Sequence, residues 1–196
     1  RLEKGKFKDW ENVKYFGIKK KTSEKVREQV KVLYYNSKED FAIKLLTKSN
    51  DEVIISRGNK ANTFGKIYAE IKENNENFKG SKNIEEDEIV KIPNIDFKLK
   101  KEFNEIEAKP FLFASGEEYV IEKAVQTIEF SLDEKGGRVK SEAGMTNKTT
   151  ALLPDLEPRE FLVNDTFCIF LKEKDKELPY FAAKISDITQ VQIVEN

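Results

Sequence analysis

The sequence has no histidine and only one cysteine, Cys168. The first absence removes the side chain that titrates near neutral pH and usually serves as general base beside a Ser or Cys nucleophile, so Ser-His-Asp and Cys-His catalysis are excluded. The second leaves no partner for an intramolecular disulfide and no Cys/His cluster for zinc. No stretch approaches the roughly 20 apolar residues that a membrane-spanning helix needs, and the N-terminal RLEKGKFKDW lacks a hydrophobic signal core. A first residue of Arg rather than Met leads us to expect trimming or processing. Neither G-x-G-x-x-G nor G-x-x-x-x-G-K-[ST] occurs, which removes the common nucleotide cradles. An excess of charge of one sign is missing too: 35 basic residues against 36 acidic ones leave a net charge of -1, so neither nucleic acid nor an anionic membrane is an expected partner.

What is there is core material. With 196 residues, 38% hydrophobic and 14 Phe, the chain can bury one substantial core, and a single domain over residues 1–196 is expected. Strand signals dominate, as short runs of β-branched and aromatic residues at 29–35, 41–46, 53–56, 89–92, 119–132, 161–171, 180–185 and 189–194. The polar turn 36–40 makes the first two an antiparallel pair, and the charged turn within 171–179 makes a second hairpin. Phe64, Ile67, Tyr68 and Ile71 recur at i, i+3, i+4 and i+7 behind Asn62 and Thr63, which predicts a capped helix lying on a sheet. A second, shorter helix is expected over 99–106, between Pro93 and Pro110, and 74–88 reads as an exposed loop. Strands outnumber helices and the connections are hairpin-length, so the fold class is α+β, predominantly antiparallel, with one or two helices.

The only acidic cluster, IEEDE at 84–88, fits no metal-loop spacing and reads as a solvated turn, so neither metal nor cofactor is expected. An enzyme working through two carboxylates would need no histidine, but no Asp or Glu sits in a recognisable motif, and the chain is not read as an enzyme. Cys168, between Phe167 and Ile169, reads as a small buried hydrophobe.

Residues 119–153, YVIEKAVQTIEFSLDEKGGRVKSEAGMTNKTTALL, combine a long strand, the glycine pair Gly136 and Gly137, and then an alternation. Gly137, Val139, Ser141 and Ala143 are small or apolar, whereas Arg138, Lys140 and Glu142 are charged. A period of two with small inward residues suits either a surface loop or a strand able to enter a sheet without overpacking it.

The run KAVQTIEFSLDEKG at 123–136 resembles the fifth strand of the large sheet and the hinge of the serpin family, and PREFLVNDTFCIFLKEKDKELPYFAAKI at 158–185 resembles the closing strands, with Phe161, Phe167, Ile169 and Leu171 filling the core hairpin. KGKFKDW at 4–10, EQVKVLYY, DEVIISRGN and IVKIPNIDF resemble other family segments in the same order. The resemblance implies that Glu134, Gly136 and Gly137 form a hinge. It implies a reactive loop through Val139, Ser141, Ala143, Met145, Lys148, Thr150 and Ala151, with a scissile bond near Thr150-Ala151. The implied partner is a serine or cysteine protease that takes this loop as bait, and an extracellular or cell-surface setting is favoured. A complete serpin is much longer, and nothing here resembles its N-terminal helical half; the hinge also carries Val139 and two basic residues where alanine is usual. The competing expectation is therefore a non-inhibitory interaction or structural module of serpin-like architecture, completed by a dimer or another chain.

Overall fold

The computed structural model describes residues 2–8, 10–47, 51–112, 114–134 and 157–191. In chain order the elements are β1 (Glu3–Phe7), β2 (Trp10–Ile18), α1 (Glu24–Arg27), β3 (Val30–Ser37), β4 (Asp40–Leu46), β5 (Asp51–Arg57), α2 (Phe64–Asn77), β6 (Ile89–Pro93), β7 (Ile95–Glu102), β8 (Pro110–Leu112), β9 (Glu118–Val120), β10 (Val125–Leu132), β11 (Glu160–Leu162), β12 (Phe167–Glu173), β13 (Phe181–Ile185) and a 3-10 turn, Ile188–Val191. A five-stranded sheet runs β13-β12-β5-β4-β3 and a four-stranded sheet β1-β2-β6-β11, while β10-β7 and β8-β9 are two-stranded. All pairs are antiparallel except β11 with β6.

The five-stranded sheet is covered on both faces, which is why VII at 53–55 and FCIF at 167–170 are continuous apolar runs rather than alternations. One face supplies Phe41, Ile43, Val53, Ile55, Phe167 and Ile169 to a core shared with Phe16, Ile18, Val90, Ile92 and Phe161 of the four-stranded sheet. The other supplies Tyr34, Ala42, Ile54, Cys168 and Phe170, and α2 lays Ile67, Tyr68 and Ile71 over them. The helical stripe is thus where its spacing put it, with one difference: Phe64 is 43% exposed and only edges onto Phe170. Thr63 holds the N-cap position, yet no side chain caps the first turn. No helix among the described residues is long and apolar enough to cross a membrane.

Several expectations need correction. Residues 99–106 are not a helix: 95–102 form β7, whose Ile95, Phe97 and Leu99 alternate with charged residues and whose eight positions all register against β10. Non-local pairing of a period-two pattern outweighs helix propensity there, and only 104–108 turns. The expected strand at 119–132 is broken, because the chain between β9 and β10 is bonded to that turn: Ala108 N–H donates to the Ile121 carbonyl and Ala124 N–H to Glu107 Oε1, each at 2.9 Å. The run 161–171 also splits, since β11 belongs to the four-stranded sheet and β12 to the five-stranded one. Of the strand expected at 189–194, residues 189–191 instead coil into the 3-10 turn Ile188–Val191, and 192–194 lie outside the described residues. Asp187 nucleates it, accepting from Thr189 N–H at 2.9 Å, Thr189 Oγ1 at 2.6 Å and Gln190 Nε2 at 3.0 Å. Finally, α2 continues to Asn77, into the stretch expected as loop.

Glu52 ties the outer side of the five-stranded sheet together. Its carboxylate takes Lys44 Nζ at 2.7 Å and Lys172 Nζ at 3.1 Å, and Lys172 also donates to the carbonyls of Glu173, Lys174 and Lys176, closing the turn before β13. Burial alone would raise the Glu52 pKa above its ordinary 4.5, but the hydrogen bonds and charges of the two lysines outweigh it and leave it lowered. A depressed carboxyl contributes stability that is present above pH 4.5 and lost as pH falls through the lower folded value. Glu52→Gln should therefore flatten the acid limb of a melting-temperature-against-pH curve; an acid limb identical to that of the parent protein would refute this assignment.

Candidate functional site

The site is built around the end of β10. Ile128, Phe130 and Leu132 face inward, and the Phe130 ring lies between Phe97 at 5.6 Å and Phe181 at 5.4 Å. The opposite face carries ion pairs between Lys98 and Glu129 and between Lys100 and Glu102. This is the alternation expected of a strand with one wetted face. Two residues past the strand, Glu134 is only 5% exposed, and its carboxylate is ion-paired with Lys4 Nζ of β1. The hinge glutamate implied by the resemblance is therefore a buried, charge-paired group that fastens the exit of β10 to the edge strand of the four-stranded sheet. Gly136, Gly137, Val139, Ser141, Ala143, Met145, Lys148, Thr150 and Ala151 lie outside the described residues.

The described chain resumes at residue 157 and reaches Arg159, which sequence reasoning passed over. Its guanidinium grips Glu88 in a fork, Nε to Oε1 at 2.5 Å and Nη2 to Oε2 at 3.0 Å. It also donates to the carbonyls of Ser81 and Asn83, each at 2.8 Å. The same group lies over the rings of Tyr35 at 5.9 Å and Phe161 at 5.4 Å. Glu88, expected in a solvated acidic turn, is 5% exposed and also accepts from Glu85 N–H at 2.8 Å, so that expectation is corrected for this residue. A carboxylate that deep in the protein needs a partner, and Arg159 is it. The available signal was that Glu88 directly precedes the apolar IVKIP run, where a charged residue at a strand mouth needs neutralising.

A second arginine holds the far end of β11. Arg57 of β5 donates from Nη1 to the Leu162 carbonyl at 2.8 Å and to Asn164 Oδ1 at 2.6 Å, and its Nη2 is 3.8 Å from Asp165. Cys168 is buried, and burial pushes its thiol pKa up, so it acts as the apolar filler its neighbours suggested. The arrangement places two charged anchors on opposite edges of one sheet, Lys4 on β1 and Arg159 beside β11, with 24 residues of chain between Glu134 and Arg159.

No protein-family model matches the sequence, and no curated protein matches it. Solved structures do. A 1.45 Å structure of SRPN18 from Anopheles gambiae is similar with a TM-score of 0.51 and 13% identity, over 95% of this chain and 50% of that one. Serpin48, a highly specific serpin of the insect Tenebrio molitor, aligns with a TM-score of 0.48 and 15% identity over 94% of this chain and 50% of its own. Tengpin, a thermophilic serpin in its native state, aligns with a TM-score of 0.46 and 14% identity over 95% and 50%. The likeness to the SRPN18 structure gives the chain a serpin-like α+β fold, and the chain spans about half the length of each of these solved structures.

Proposed function

We propose that residues 1–196 act as one serpin-like unit that offers the stretch after Glu134 as bait to a serine or cysteine protease, as an inhibitor or the relic of one. Glu134, Gly136 and Gly137 serve as the hinge, and Val139, Ser141, Ala143, Met145, Lys148, Thr150 and Ala151 lie along the bait, with cleavage near Thr150-Ala151. The protein supplies substrate and conformational energy and needs no catalytic group of its own. The observation that supports this reading is the burial of Glu134 just past β10, paired with Lys4 on one edge strand of the four-stranded sheet, while the described chain resumes at 157 and enters β11 on that sheet's opposite edge. Crossing three strand spacings takes about 15 Å. Twenty-four residues can extend to roughly 80 Å, several times what the crossing requires.

A second reading is favoured by β10 itself. Among the described residues it pairs only with β7, so an inserting strand would find one flank and not two. In that case the chain is a non-inhibitory interaction module, and the open edge of β10 is covered by a dimer mate or another polypeptide.

Incubation with trypsin, elastase and chymotrypsin separates the two. A covalent complex that survives denaturing electrophoresis supports trapping, and cleavage between residues 144 and 154 with a higher melting temperature supports insertion without trapping. Cleavage there with no stabilisation supports the interaction module. Resistance of the 144–154 stretch to all three proteases overturns the bait reading.

A further inference from the structure

β11 is a minimal strand: three residues, parallel, on one neighbour, registered as Glu160 with Ile89, Phe161 with Val90 and Leu162 with Lys91, and followed by one more bond from Val163 N–H to the Lys91 carbonyl. So short a ladder at a sheet edge supplies little by itself. Beyond the burial of Phe161 and Val163 and a bond from Glu160 N–H to Tyr35 Oη at 3.4 Å, β11 is held by two arginines approaching from opposite ends. Arg159, on the upstream side, reaches Glu88 and the carbonyls of Ser81 and Asn83, all in the segment leading into β6. Arg57, on the downstream side, reaches the last carbonyl of the strand and the Asn164 side chain from the other sheet. Forked guanidinium bonds to a buried carboxylate and to carbonyls are directional, and a lysine cannot reproduce them.

We propose that Arg159 and Arg57 form a clasp that keeps β11 in the sheet, and that they act as positioning residues for the C-terminal end of the chain joining Glu134 to β11. The positioning half rests on the bait-loop reading; the clasp half stands without it. An arginine that merely adds to overall stability would, when removed, loosen every element together. A clasp, when opened, loosens β11 and leaves β4, β5 and β12 as they were, because local opening is governed by local contacts.

Hydrogen exchange on the full chain distinguishes the two. In Arg159→Ala and in Arg57→Ala, exchange at residues 159–164 should rise by about tenfold or more, given the strength of hydrogen bonds to charged groups, with peptides from β4, β5 and β12 unchanged. Arg159→Lys should fail to restore protection. Unchanged exchange at 159–164, or an equal rise across all three core strands, overturns the clasp. Should Arg159→Ala not fold, Glu88→Gln keeps the shape, removes the charge and is read by the same criteria. For the positioning half, trypsin and elastase are presented to the parent and to Arg159→Ala. A higher KM or a wider spread of cut sites within 144–154 is expected, and identical sites and rates overturn it. If the parent is not cut in that stretch at all, the bait reading and with it the positioning half fall, and the exchange result still decides the clasp.

Discussion

Gly17→Ala should lower folding stability by about 3 kcal/mol, because the added methyl has nowhere to go and overpacking of this kind is seldom relieved by side-chain movement. A Cβ at Gly17 would sit 1.8 Å from the Val90 carbonyl oxygen, 2.7 Å from its carbon and 3.3 Å from Lys91 Cα, all of them backbone. Gly17 pairs with Lys91 in the middle of the four-stranded sheet, between residues whose neighbours Phe16, Val90 and Ile92 are core. The clash can be relieved only by parting β2 from β6. That would also displace Glu88, one residue before β6, and the strand β11 on its far side. Gly65 in the first turn of α2 provides the control: a Cβ there meets nothing within 4 Å, and alanine should be neutral or stabilise by up to about 1 kcal/mol through helix propensity. Urea unfolding midpoints of the two variants measure the contrast, and a Gly17→Ala midpoint equal to that of Gly65→Ala would show that β2 and β6 are not in this register.

Phe161→Ala should cost about 4 kcal/mol, in the upper range for removing a fully buried aromatic side chain. Phe161 is fully buried, with its ring edge-on to Tyr35 at 5.0 Å and to Phe41 at 5.4 Å. These contacts bind the edge of one sheet to the core of the other, since Tyr35 and Phe41 belong to the five-stranded sheet and Phe161 to the four-stranded sheet. Truncation leaves a cavity whose walls, two aromatic rings on paired strands, cannot collapse into it. Phe161→Leu, which keeps most of the volume, should lose much less. A loss below about 1 kcal/mol for Phe161→Ala in denaturant titration would contradict this packing, given the usual range for buried aromatic truncations.

Both effects depend on residues whose importance was unevenly visible beforehand. Ile67, Tyr68, Ile71 and Cys168 stand out as core from the residue pattern alone, because burial follows from local periodicity and apolar character, whereas Phe161 is placed in a strand by the pattern and in the core by the resemblance to the closing strands. Gly17 sits in a strand that the pattern did not suggest at all: 10–18 mixes charged and apolar residues, and its pairing comes from β1 and β6. The same limit explains 99–106. The lysines there suit a helix as well as a strand, and only the partner β10 selects the extended form. At the site, Glu134 was singled out from the hinge resemblance. Its partner Lys4 and the pairing of Arg159 with Glu88, whose members are 130 and 71 positions apart in the chain, left no local trace.

From composition and order alone came the exclusions of histidine-based catalysis and disulfides, the α+β class, the hairpins at 36–40 and 171–179, and the amphipathic helix. Each depends on residue chemistry or on spacing within a few positions, which a linear string records. Which sheet each half of 161–171 joins, that β11 runs parallel to β6, and that two arginines hold it there emerged only when distant strands came together. Those choices arise from long-range pairing and from neutralising buried charge, and both are properties of the folded neighbourhood.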